Sequence, residues 1–307
     1  MIFVAAMKSS AITCCQYGEE QVEYLLNNHD CHSQMGANRG GIFACNCDTH
    51  CFMEPVEMEL SGKVYKGVLS NGWHVAVKHI IKDGYVETFM REVTSLSYVR
   101  HRNLVSLREA IVKKQKNVFL FMSFARMAIC LSGYLPTNIL LGQDFEAKLS
   151  DFGLSKVIDN GLSHVSSEVR GTFGYVDPEY RQNRHVNAAG DVYSFGIVLL
   201  QILSGMRVLN LNVIKPMSLG KMAKHILKGG NITEFADPKL NVEYSKEAFE
   251  MVLKLALSCT SHKQQRPSME QVITRLEKAL DVSVRESTMH RISIASDHPL
   301  VGKTRYS

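Results

Sequence analysis

The sequence lacks a long apolar run. Its opening stretch, Met1 to Met7, is apolar but far short of a bilayer span, and no basic residue precedes it as in a secretory leader. The run Phe195 to Leu203 is interrupted by Gln201 and suits a buried core helix. Ile2 stands where N-myristoylation needs glycine, which leaves the Cys14-Cys15 pair as a lipidation candidate. A strong charge of one sign is missing too. Thirty-five Lys and Arg against 30 Asp and Glu give a net charge of +5, spread along the chain, which makes no case for a nucleic-acid partner. Paired Cys-x-x-Cys knuckles are absent, and no internal repeat is visible.

What is present divides the 307 residues into unlike parts. Six of the eight cysteines, Cys14, Cys15, Cys31, Cys45, Cys47 and Cys51, fall in the first 51 residues. With His29, His32 and His50 they allow a zinc site or a disulfide framework, but the spacing Cys45-x-Cys47-x-x-x-Cys51 has no knuckle. Residues 1–55 therefore read as a poorly ordered Cys-rich segment. From Lys63 the pattern becomes β-rich. Lys63–Leu69 and Trp73–Ile81 flank Ser70-Asn71-Gly72, and Asn-Gly between apolar runs is a hairpin signal because both residues tolerate positive φ. Val86, Phe89, Met90, Val93 and Leu96 or Ser97 follow helical spacing, with Glu92 on the flank of the stripe, placed to reach a neighbouring sheet. Two more strands are expected over Leu104–Ile111 and Asn117–Phe124.

The second half reads as helical. Asp191–Leu203 and Ala248–Leu257 are apolar nearly all round, as buried helices are. Met269, Val272, Ile273, Leu276 and Leu280 make an amphipathic helix entered through Pro267. Residues 281–307 are polar and read as a disordered tail.

Val75-Ala76-Val77-Lys78, Glu92, Asp151-Phe152-Gly153, Gly171-Thr-Phe-Gly-Tyr-Val-Asp-Pro-Glu-Tyr180, Asp191-Val-Tyr-Ser-Phe-Gly196 and Arg266-Pro-Ser-Met269 occur in this order. Each alone is weak. Together they resemble the protein kinase domain, specifically that of plant receptor-like Ser/Thr kinases, over residues 62 to 280. The resemblance implies an α+β, two-lobed fold, with a β-rich lobe at 56–124 and an α-rich lobe at 125–280. It implies ATP and Mg2+ as cofactors, protein substrates or signalling partners, and a cytoplasmic location associated with the plasma membrane. It assigns Lys78 to the ATP phosphates, Glu92 to Lys78, and Asp151 and Asn138 to the metal ions. It places Gly62 and Val64 at the end of the phosphate-covering loop. Val64, Ala76 and Leu140 fall around the adenine, Met122 at the gatekeeper position, and Ser123 to Ala125 in what remains of the hinge. Glu179 and Arg266 match a buried structural ion pair.

The sequence also departs from that pattern. The family's catalytic loop reads His-Arg-Asp-x-Lys-x-x-Asn. Counted back from Asn138, those positions hold Leu131, Ser132, Gly133 and Leu135, so the base position is Gly133. Only 14 positions lead from Phe124 to Asn138, where the family places the hinge, two helices and a short strand. Loss of that block is expected to expose apolar faces of the Asp191–Leu203 helix. The first two glycines of the phosphate-covering loop fall at Glu57 and Glu59, as if foreign sequence replaced the first strand. The segment Asp151–Glu179 is complete and carries Ser163, Ser166, Ser167 and Thr172 as candidate phosphorylation sites.

Overall fold

A computed structural model describes residues 52–59, 62–68, 74–80, 86–113, 117–123, 126–127, 138–141, 146–159, 161–210, 217–229, 231–240 and 244–296. The cysteine-rich stretch up to Cys51, the Asn71-Gly72 turn and the segment holding Leu131, Ser132, Gly133 and Leu135 lie outside these residues. The chain forms two compact units. One is built from residues 2–128 and 136–165, the other from 129–135 and 166–307.

The first unit is organised by a five-stranded sheet in the order β1-β2-β3-β5-β4. Its strands are β1 (Phe52–Glu59), β2 (Gly62–Val68), β3 (His74–Ile80), β4 (Leu107–Lys113) and β5 (Asn117–Ser123). Whatever its origin, the segment where the first strand belongs does form a strand, β1. It pairs antiparallel with β2, Phe52 opposite Val68 and Glu59 opposite Gly62. The register slips between Pro55 and Glu57, where proline cannot donate to the ladder. Strands β2 and β3 pair with Val68 opposite His74, as a hairpin requires.

Along β3 the side-chain period of two separates Val75 and Val77, both buried, from Ala76 and Lys78 on the other face. Helix α1 (Val86–Tyr98) supplies the apolar stripe expected of it. Phe89, Val93 and Leu96 form a core with Val105 and Met122, against which Leu107, Leu140 and Phe152 pack. A second small sheet, β6 (Arg126–Met127), β7 (Ile139–Leu141) and β8 (Ala147–Leu149), completes the unit. The turn after α1 is bonded to β8. Leu149 N–H donates to Asn103 O at 2.8 Å, Val105 N–H to Leu149 O at 3.0 Å, and the buried Asn103 Nδ2 to Ala147 O at 2.9 Å.

The second unit is helical: α2 (Pro178–Asn183), α3 (Ala188–Ser204), α4 (Leu219–Gly229), α5 (Lys246–Cys259) and α6 (Met269–Ser296). Local signals set the ends. Asn187 accepts from Gly190 N–H at the start of α3, Gly205 closes it with φ 65°, and Ser245 caps α5. Ser268 and Gln271 form a reciprocal capping box at the start of α6.

Two expectations fail here. The α3 helix exposes no wide apolar face: Val192, Ile197, Val198, Leu199, Leu200 and Leu203 are all buried, because α3 packs on α5 and α5 on α6. The approach of α3 to α5 is close, since a Cβ on Gly196 would lie 2.7 Å from Cys259 Cβ. The tail expected to be disordered from residue 281 continues instead as helix to Ser296. No Gly or Pro interrupts it, and its hydroxyls bond back along the helix, Ser287 to Ser283 O and Thr288 to Val284 O, rather than competing with it. No described helix is long and apolar enough to cross a membrane.

Candidate functional site

The sheet register sets out the candidate site. Residues opposite one another in antiparallel strands share a face. Val64 lies opposite Lys78, Gly62 opposite Ile80, and Ala76 opposite Met122. Val64, Ala76, Lys78 and Met122 therefore share the face against which α1 packs. Met122 is buried in the α1 core and Leu140 lies at its edge.

Helix α1 brings Glu92 to that face. Glu92 is 1% exposed and Lys78 3%, and their charges meet at 3.2 Å. Asp151 follows β8 and stands 3.6 Å from the same ammonium, with 32% of its side chain exposed. A charge pair so deeply buried persists only because each partner compensates the other's desolvation. Asp151 holds φ at 64°, a left-handed conformation that costs a non-glycine residue energy and tends to cluster at working sites. Its Oδ1 accepts from Gly153 N–H at 3.3 Å. Asn138 is exposed, and its carbonyl accepts from Ser150 N–H at 3.0 Å, next in sequence to Asp151. The structure thus gathers Lys78, Glu92 and Asp151 into one ion triad, with Asn138 bonded to Ser150, between β8 and Asp151. It says nothing of Gly133.

In the helical unit Arg266 is 2% exposed. It makes a two-pronged pair with Asp177, at 2.6 and 2.9 Å, and reaches Glu179 at 3.4 Å. The expected Glu179 pair is present, but Asp177 is the closer and more buried partner. Asp177 also caps α2 by accepting from Glu179 N–H at 3.0 Å. Sequence reading missed Asp177; its place before Pro at a first helical turn is the one local signal that could have singled it out. Glu179 in turn accepts from Lys263 N–H at 2.7 Å. Tyr175 donates to the buried Gln201 at 2.6 Å, and burial raises its phenol pKa. Ser163, Ser166 and Thr172 are exposed, and Ser167 is half-buried with its N–H on Arg184 O.

The protein kinase domain family matches residues 135–276. A probable LRR receptor-like serine/threonine-protein kinase of Arabidopsis thaliana is 34% identical over 264 aligned positions, covering 71% of this chain and 30% of the relative. The chain is a member of the protein kinase family. A proline-rich receptor-like protein kinase of Arabidopsis thaliana is also 34% identical, over 70% of this kinase-family chain and 51% of the relative. An LRR receptor kinase of Oryza sativa subsp. japonica is 30% identical over 70% and 44%. The chain thus spans between 30% and 51% of the length of these receptor-like kinases.

Proposed function

We propose that this chain is a kinase-family binding and signalling module that keeps the phosphate- and metal-handling end of the site and transfers phosphate little or not at all. The assembled Lys78–Glu92–Asp151 triad carries the reading. Phosphoryl transfer needs charge neutralisation, alignment and a residue that orients the attacking hydroxyl. Lys78 meets the first need at the phosphates. Asp151 and Asn138 offer the oxygen donors a magnesium ion takes, and a site with so few protein ligands suits a metal that shares its shell with phosphate oxygens. Among the described residues no group of three or more His, Cys, Asp or Glu could hold a metal without such help. The base position is Gly133, and loss of a general base costs about 10²–10⁴-fold in rate.

The alignments support a lost block. Seventy per cent of 307 residues is about 215, so about 49 of the 264 aligned positions of the proline-rich relative face no residue of this chain. The family match begins at residue 135, where the interval between Phe124 and Asn138 is closing. Glu57 and Glu59, on the strand beside Gly62 and Val64, repel a triphosphate, so Mg-ATP binds weakly. Protein partners are engaged at the cytoplasmic face of the plasma membrane.

The test is transfer from γ-labelled ATP to a generic Ser/Thr substrate, together with a Mg-ATP thermal shift. Incorporation at background level and a shift smaller than that of an intact relative are expected. Strong Mg-dependent incorporation that Lys78→Ala abolishes would overturn the reading. The sharp edges of the gap favour a second reading, a product that lost an exon. The transcript across codons 124 to 136 separates the two.

A further inference from the structure

Thr88, Glu92 and Ser95 stand at i, i+4 and i+7 on α1, and so share one helix face. The segment from Asp151 to Ser155 touches that face at three points. Gly153 is buried, and a Cβ on it would lie 2.3 Å from Thr88 Cγ2. Glu92 and Asp151 meet through Lys78. Ser95 Oγ lies 2.9 Å from Ser155 Oγ.

The direction of that last bond follows from its neighbours. Ser155 Oγ is also 2.6 Å from Phe152 O, which can only accept. The Ser155 proton therefore goes to Phe152 O, and Ser95 donates to Ser155. Ser155 thus closes the turn after Asp151 and offers its lone pair to the helix carrying Glu92. Ser97, two residues from Ser95, donates instead to Val93 O within its own helix, so the contact at Ser95 is not a general property of hydroxyls on α1.

We infer that Ser95 and Ser155 form a latch that positions the ion triad, holding Glu92 and Asp151 at a fixed separation on either side of Lys78. Gly153 permits the close approach that the latch requires. The inference rests on reading the triad as the phosphate and metal end of the site, and its test does not use nucleotide. It uses acylation of Lys78 by an amine reagent, read by mass spectrometry on the full chain, with hydrogen exchange over residues 86–98. Ser95→Ala and Ser155→Ala raise Lys78 labelling by about threefold, the order of one partly exposed hydrogen bond. The double variant labels no faster than Ser155→Ala alone, because both changes break one bond. Ser95→Thr restores protection, and Ser97→Ala leaves it unchanged. Melting temperature stays within about 2 °C in all five variants, which separates positioning from general stability. Unchanged labelling in Ser95→Ala, or a double variant that equals the sum of the singles, would overturn the latch. Strong Mg-dependent phosphate transfer that Lys78→Ala abolishes, with the labelling pattern intact, would overturn the proposed function and leave the latch standing.

Discussion

Lys78 and Arg266 are both buried cations facing two carboxylates, yet they are held in different ways. Arg266 spends its planar fork. It takes both oxygens of Asp177, reaches Glu179, donates to Ser261 O and Ala189 O at 2.8 and 2.9 Å, and lies over the Tyr193 ring. Such a guanidinium serves architecture, because its donors already have protein acceptors. Lys78 is a compact charge at 3.2 and 3.6 Å from its partners, one of which, Asp151, is partly open to solvent. An ammonium at such distances suits a site whose ligands exchange. The two regions thus hold the same kind of pair differently: the guanidinium is enclosed by protein acceptors, while the ammonium has one carboxylate partner partly open to solvent.

Breaking Arg266 should cost most. Arg266→Met leaves Asp177 buried and Ser261 O and Ala189 O without their donor, a loss of about 3–5 kcal/mol seen as a lower urea midpoint. Adding Asp177→Leu recovers little of it. For Lys78→Met the loss is smaller, because Asp151 is partly open to solvent, and Glu92→Leu in addition recovers most of it by removing the buried charge left behind. Equal recovery in both double variants would erase the contrast. The next effect in size lies between α3 and α5. Gly196→Ala forces a methyl against Cys259 and the Ala256 carbonyl and should cost about 1–3 kcal/mol by thermal melt.

The smallest effect is a pH dependence. Burial pushes the Cys259 thiol from 9.0 up to about 12. Its contribution to stability is whole below pH 9 and is lost as pH rises toward 12, since the unfolded chain ionises first. Cys259→Ala should flatten that part of the alkaline stability curve, and the native thiol should resist alkylation at pH 8. Rapid native alkylation would contradict a sealed α3–α5 interface.

Much of this arrangement was legible in the residues. Val75 to Lys78, the α1 stripe and the strand before Asp151 follow periodicities of two and 3.6, and the fold keeps both. Glu92 was readable as a flank position because helical spacing sets its angle from Phe89. Other features depend on partners distant in sequence. The pairing of Asp177 with Arg266 crosses 89 residues and has no local signature beyond a cap. The β1 strand breaks phase at Pro55, so its alternation is visible only once β2 fixes the register. The Ser95–Ser155 contact joins two small polar residues that composition assigns to a solvated surface.

The long α6 helix has a mechanical consequence. The family match ends at residue 276, while the helix runs on to Ser296. At 1.5 Å per residue the remaining 20 residues make a strut of about 30 Å. An isolated helix of that length is marginal in water, but this one grows from a turn already packed on α5 and needs no nucleation of its own. The helical unit is thereby longer, along α6, than the matched family segment alone.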